Sequence, residues 1–340
     1  MPEMVHRSCD VAVIGGGPAG ISACLELAKV RKLRVHLFEN ESELGGIPRS
    51  AHIFFGMRDL KRLYTGAAYA RRLEALVRKT ATVIHTRSTV VEIKPDKVGK
   101  AHRVFVASSE AMVCYTCRFV VLATGCFERS RESRMIAGTR PAGIMTTGTL
   151  QKLVNLQGLQ PGRRAVIVGS EHVALSAAMT LRHAGLKVQA LVEEDPDLHT
   201  YPSVANMLAH GLRFPIFKNT AIKSICGKNR VTGIVLASRS NGHECHVACD
   251  TIIVTGRFQP ESALIMETGI QVDPLSRGPV VDLGLMTTLP GIYAAGNILR
   301  GANMHDVCAL EGRQVAASII TSLTAKNRAA GITPNGLRRA

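Results

Sequence analysis

The chain has 340 residues, 46% of them hydrophobic, which is enough for a sizeable core in one large or two compact units and excludes a disordered chain. Lys and Arg (42) outnumber Asp and Glu (26) for a formal charge of +16, but they are scattered as pairs: Arg71-Arg72, Arg78-Lys79, Arg163-Arg164 and Arg338-Arg339. With 4% aromatics and no Trp there is no basic stripe interleaved with stacking rings, so nucleic acid is not expected, whereas an acidic substrate or protein partner suits the charge.

The start, MPEMVHRSCD, lacks the apolar pattern of a secretory signal, and no later run reaches the roughly 18 apolar residues of a membrane span. The nine cysteines then read as reduced, small buried hydrophobes, and the expected location is cytoplasmic. The first predicted unit is CDVAVIGGGPAGISACLELAKV, a strand ending at Ile14, a G-x-G-x-x-G loop of Gly15, Gly17 and Gly20, and a helix opening at Pro18 and Ala19. Gly15 permits the turn, Gly17 lets backbone approach a pyrophosphate, and Gly20 lets the helix pack on the strand. The helix N-terminus would face the phosphates. A second strand, RVHLFEN, ends in Glu39 and Asn40, with Glu39 placed for an adenosine ribose and hostile to a 2′-phosphate. FAD or NAD is therefore expected.

Next comes ELGGIPRS, where Gly45, Gly46, Ile47 and Arg49 form a stretch that can pass close to a ligand. FVVLATGCF is a buried strand ending in Ala123, Thr124 and Gly125, and TTLPGIYAAGNILRG ends a later one in Gly296 and Asn297. Between them GRRAVIVGSEHVALSAAMTLRHAGLKVQALVEED repeats the strand, loop, helix, strand order, IIVTGRFQP mirrors the ATG strand, and Asn241-Gly242 signals a hairpin.

These stretches resemble the two-dinucleotide-domain flavoproteins, the superfamily of glutathione and thioredoxin reductases. The resemblance implies an α/β fold of two Rossmann-like three-layer domains, the second inserted in the first: an FAD domain at 1–142 and 260–340 and an NAD(P)-type domain at 143–259. It implies FAD, bound non-covalently, with Gly15, Gly17, Pro18, Ala19, Gly20, Glu39, Asn40, Gly45, Gly46, Ile47, Arg49, Ala123, Thr124, Gly125, Gly296, Asn297, Met304 and His305 around it. Asn297 stands where the superfamily usually has Asp; its amide oxygen is expected to meet a ribitol hydroxyl, without charge. NMHDVCALEGRQVAASII matches the helix that points at the flavin's pyrimidine end, with Asp306 a candidate cap and His305 the candidate catalytic residue against a plain helix-start role. No residue offers a dedicated covalent linkage to the flavin, Cys126 and His52 being the candidates for lying near it.

The superfamily's disulfide reductases carry a cysteine pair near residue 45 or before the second loop; GGIPRSAHIF and RPAGIMTTGTLQ have none, so disulfide reduction is not expected. Cys114 and Cys117 lie three apart on a strand and face opposite ways. HECHVAC could put His243, Cys245 and Cys249 on one strand face, but a metal needs a fourth ligand there and convergent geometry, so no metal is expected.

GGIPRSAHIFFGMRDLKRLYTGAAYARRL, VIVGSEHVALSAAMTLRHAGLKV and GIYAAGNILRGANMHDVCALEGRQVAASI look like the flavoprotein α subunits of bacterial dehydrogenase complexes, relatives of hydrogen cyanide synthase, opine oxidase and dye-linked proline or hydroxyproline dehydrogenase. That implies an electron-transferring FAD subunit for an amine, amino acid or hydroxy acid, in a hetero- or homo-oligomer, with a second flavoprotein or a ferredoxin-like subunit as partner. Many such subunits continue into a cysteine-rich iron–sulfur segment; no cysteine follows Cys308 here, so a cluster of its own is not expected. The alternatives are a self-contained NAD(P)H-dependent flavin oxidoreductase and a scaffold holding FAD as a structural ligand.

The second nucleotide site is expected at Gly169, Ser170, Glu171, His172, Glu193 and Gly256. In its loop the second glycine is Glu171 and the third is Ala174. A carboxylate at that point opposes a pyrophosphate, or caps the following helix, and Glu193-Glu194-Asp195 disfavours NADPH. NADH, an adenine nucleotide in an altered pose and an empty site all remain open.

Overall fold

The computed structural model describes residues 4–96, 98 and 100–329, so Arg338-Arg339 and the rest of the C-terminal segment lie outside the described residues. The chain divides into two compact units. One comprises the chain up to Arg49, Phe54–Phe127 and everything from Gln259; the other comprises Ser50–Ile53 and Glu128–Phe258. The outward crossing thus falls at 127/128, not at the expected 142/143. Side-chain bonds explain the shift: half-buried Arg134 donates to the carbonyls of Thr255 and Gly256 and the Thr139 hydroxyl contacts those of Ile225 and Gly227, which ties this stretch to the second unit, while buried Arg131 braces it internally on the carbonyls of Ile136, Ala137, Gly138 and Thr139.

The first unit is built on a parallel sheet in the order Ile292–Ala294, Phe119–Leu122, Val11–Ile14, Val35–Phe38, Val83–His85. Strands 119–122 and 11–14 are buried on both faces, which is why they read as unbroken apolar runs. One face packs on a four-stranded sheet in the order Val5–Ser8, Met112–Cys117, His102–Ala107, Thr89–Lys94; Ile14, Phe38, Val104, Tyr115, Cys117 and Leu122 share that core. The other face carries helices Pro18–Leu27, Gly66–Val77 and His305–Ala329. Cys117 lies in the intersheet core while Cys114 is buried off the opposite face, as strand alternation requires.

The second unit repeats the plan. Its parallel sheet runs Ile144–Thr146, Thr251–Val254, Arg164–Val168, Lys187–Val192, Ile216–Phe217, with helices His172–His183 and Pro202–Leu212 packed on one core. Thr220–Cys226, Gly233–Ser238 and Glu244–Val247 form an antiparallel sheet over the other, and Gly242 turns the last hairpin. Each unit is thus the expected α/β arrangement of three layers, a parallel sheet between helices and an antiparallel sheet. Among the described residues no helix is long and apolar enough to cross a membrane.

Candidate functional site

In the first unit the strand Val11–Ile14 delivers the chain into the glycine loop. Gly15 has φ +105°, and a Cβ there would lie 2.3 Å from the Ala123 carbonyl oxygen. A Cβ on Gly20 would lie 1.9 Å from the Gly15 carbonyl oxygen, so the helix sits against the strand only because that atom is missing. Above Gly17 the same construction meets nothing within 4 Å. The loop is therefore closed beneath and open above, beside the unpaired N–H groups of the helix Pro18–Leu27, and this cradle fits a pyrophosphate.

Ala19 is wedged by the last helix. A Cβ on Gly312 would meet the Ala19 carbonyl oxygen at 2.0 Å, and one on Gly296 the Ala19 Cβ at 2.9 Å. Glu39 is buried and accepts from the backbone N–H groups of Gly16 and Glu41, both at 2.7 Å. The Gly45 N–H donates to the Gly16 carbonyl at 2.8 Å, and Gly46 passes against Gly17. Asn40 and Ile47 are exposed, and Arg49 pairs with Glu43 at 2.6 Å. Ala123 is buried; the Thr124 hydroxyl donates to the Glu261 carbonyl at 2.9 Å, which fixes the turn at Gly125.

Three expectations change here. The Asn297 amide oxygen faces inward, accepting from the Asn303 N–H at 2.9 Å and the Cys308 thiol at 3.1 Å, so the group left to meet a ligand is the NH2 donor rather than the oxygen. Asp306 does not cap the last helix. It is buried and accepts from the Arg58 N–H at 3.3 Å and guanidinium at 3.2 Å, while Val307 and Cys308 donate to the Met304 carbonyl. His52 belongs to the second unit, 2.9 Å from the Thr180 hydroxyl and 3.1 Å from the Asn155 amide. His305 follows Met304 at the helix start, half-buried and edge-on to Phe55 with centroids 4.7 Å apart. Dense packing around the ring lowers its pKa to about 4.

In the second unit Gly169 takes φ +112° and its Cβ position lies 2.3 Å from the Thr255 hydroxyl, the counterpart of Gly15 over Ala123. The resemblance stops at Glu171. That residue occupies the N-cap position of helix His172–His183 but its side chain makes no cap bond; it lies across the loop, accepting from the Thr255 hydroxyl at 2.9 Å. Its carboxylate packs on Gly256, at 1.8 Å from where a Cβ would stand. Ser170 donates to the buried Glu193 at 2.5 Å and accepts from the His199 N–H at 2.9 Å. His172 stacks on the exposed Tyr201 and meets the Thr200 hydroxyl at 2.6 Å. Glu193, Asp195 and His199 bring candidate metal-ligand atoms within 4.8 Å of one another; the His199–Asp195 contact of 2.7 Å is an ion pair that raises the imidazole pKa.

Sequence reasoning missed the floor of this second loop. Glu128 accepts from the N–H groups of Gly148 at 2.7 Å and Gly256 at 3.2 Å, and burial pushes its carboxyl above the ordinary range. Arg134 lies close enough to feel both Glu171 and Glu128. The acid-and-base-rich ERSRESR run was the available signal. In the first unit the Gly296 N–H donates to Glu311 at 2.8 Å, and Glu311 also pairs with Arg300.

A family profile described as pyridine nucleotide-disulphide oxidoreductase matches residues 9–315. The chain is 26% identical over 306 residues to the nitric oxide reductase FlRd-NAD(+) reductase of Aliivibrio fischeri, covering 85% of this chain and 72% of that protein. It is 30% identical over 184 residues to hydrogen cyanide synthase subunit HcnB of Pseudomonas aeruginosa, covering 53% of this chain and 38% of that subunit. Thioredoxin reductase of T. acidophilum superposes with a TM-score of 0.77 over 93% of this chain and 99% of that one at 20% identity, a likeness of fold.

Proposed function

The chain belongs to the pyridine nucleotide-disulphide oxidoreductase family, whose likenesses imply FAD and NAD(P)H binding, and from that premise we propose that it is the electron-transferring FAD subunit of a dehydrogenase or oxidase complex. The observation that carries the reading is Glu171 lying on Thr255 and Gly256, where the pyrophosphate of a pyridine nucleotide would pass. A carboxylate there weakens NADH as donor, so the electrons come from a partner that oxidises an amine, amino acid or hydroxy acid. The likeness to a subunit of hydrogen cyanide synthase supports a complex.

Bound FAD supplies the reversible two-electron chemistry. The Gly15–Gly20 loop would take its pyrophosphate, Glu39 the adenosine ribose, and the Asn297 NH2 a ribitol hydroxyl oxygen. His305, with a pKa of about 4, is neutral at pH 7. Stabilisation of negative charge at the pyrimidine end then falls to the backbone N–H groups at the start of helix His305–Ala329. The proposal does not include disulfide reduction: residues 45–54 and 140–151 contain no cysteine, and Cys9, Cys114 and Cys117 are buried in the first unit's packed layers.

Anaerobic titration with NADH tests the proposal: slow or absent bleaching of the flavin is expected, with reduction once the partner and its substrate are added. A second reading, a self-contained NAD(P)H-dependent flavin reductase, is favoured by the likeness to an NAD(+) reductase over 85% of the chain. Fast bleaching by NADH alone would install it.

A further inference from the structure

Strands Phe54–Phe55 and Tyr64–Thr65 pair antiparallel as a short ribbon on the first unit. Alternation turns Phe55 and Tyr64 inward and Phe54, Leu63 and Thr65 outward. The inward Phe55 is the ring that touches His305. Outside, Phe54 is 53% exposed, Leu63 55% and Met57, in the turn, 54%. The loop that carries these apolar groups is tied down. Tyr69 donates to Asp59 at 2.8 Å beneath the turn, Leu60 and Arg62 donate to the Gly56 carbonyl, and Arg58 is pinned by Asp306. A hydrogen-bonded loop that shows three large apolar side chains to water is a surface in want of a partner.

Its charge is one-sided. Between Glu43 and Glu74 the sole acid is Asp59, which is buried, whereas Arg58, Lys61, Arg62, Arg71 and Arg72 are all exposed. We propose that the outer face of ribbon 54–65 is the docking surface for an acidic electron-carrier protein. Lys61, Arg62 and their neighbours steer it, and Phe54, Met57 and Leu63 form the dry centre of the contact. A carrier seated there stands one side chain away from Phe55 and His305, on the flank of the expected flavin site. Each oxidised carrier takes one electron, so two in turn empty one two-electron-reduced FAD, and its protons pass to water.

The proposal rests on the electron-transfer reading, but its test does not use turnover. Oxidised plant-type [2Fe–2S] ferredoxin, an acidic protein, is titrated calorimetrically into the flavin-containing chain at low and moderate salt. Salt-sensitive binding is expected, with affinity falling about tenfold or more in Lys61→Glu/Arg62→Glu. Phe54→Ser/Leu63→Ser should lose about tenfold with the salt dependence unchanged. The control Lys29→Glu/Arg31→Glu, at the far end of the first helix, makes the same charge change and should stay within about twofold. Flavin absorbance and melting temperature show that each variant is folded. Absent binding by the parent protein, or equal losses in ribbon and control variants, overturns the docking site. A parent protein that binds ferredoxin but contains no FAD overturns the electron-transfer reading instead.

Discussion

The Glu171 carboxylate accepts a hydrogen bond from the Thr255 hydroxyl at 2.9 Å and so bridges the two ends of strands that elsewhere in the fold frame an open ligand loop. In the first unit the equivalent span, from Gly15 to Ala123, is bridged by nothing but backbone contact. The two halves share a plan, and the side chain of Glu171 occupies a loop that its counterpart at Gly17 leaves open.

Replacing Glu171 by Gly should therefore open the second loop to NADH. A like-charge contact near 4 Å costs about 1–4 kcal/mol in partly screened surroundings, so affinity should rise by roughly tenfold to a thousandfold. The parent protein's flavin should be reduced slowly or not at all by NADH, and the variant's measurably. Arg134 and Glu128 remain to hold the floor, so the variant should fold. Rapid NADH-driven reduction by the unmodified protein would sink the idea.

Gly17→Glu should separate flavin binding from folding. No atom lies within 4 Å of the new Cβ, so the fold tolerates the side chain, but its carboxylate enters the space expected to hold the pyrophosphate. The purified variant should lack the absorbance band near 450 nm while its far-ultraviolet spectrum is unchanged. The parent protein should release its flavin on acid precipitation, as a non-covalent ligand does. Full flavin in the variant, or flavin carried down with the precipitate, would contradict the assignment.

Gly312→Ala should act the other way, on packing first. Its Cβ would press on the Ala19 carbonyl oxygen at 2.0 Å, a backbone atom that can move only with the helix. A destabilisation of about 1–3 kcal/mol is expected, with weaker flavin retention because the cradle moves too. Unchanged urea unfolding would show that the two helices are looser than this contact requires.

Both sheets were legible because their central strands are apolar on two faces, and both loops because Gly15 and Gly169 need positive φ. What stayed hidden was direction. The identity of Asn297 says nothing of which end of its amide faces inward; that is decided by the Asn303 N–H, six residues on and brought back by the turn. Asp306 has the type and position of a helix cap, yet Arg58 claims it from a distant segment. Arg131 and Arg134 look like ordinary surface charge in sequence, and only the fold shows Arg131 bracing its own loop and Arg134 spending its donors on the Thr255 and Gly256 carbonyls, which draws this stretch into the second unit.

The last prediction concerns acid. His305 and His36 both have pKa values lowered from 6.5 to about 4, in each case chiefly by burial, with His85 adding to the shift at His36. Above pH 6.5 both histidines are neutral in folded and unfolded chains and do not tilt the balance. As the pH falls from there the unfolded chain takes up protons that the folded one refuses, so stability is lost progressively until the folded groups titrate near pH 4. Each contributes a slope of at most about 1.4 kcal/mol per pH unit, less for a half-buried ring. His199 works with the opposite sign, because Asp195 raises its pKa, but its exposure keeps the effect small. Urea unfolding at several pH values across this window should show declining stability, with a shallower decline in His305→Phe and in His36→Phe. Identical slopes in parent and variants would mean that neither ring is held neutral by the fold.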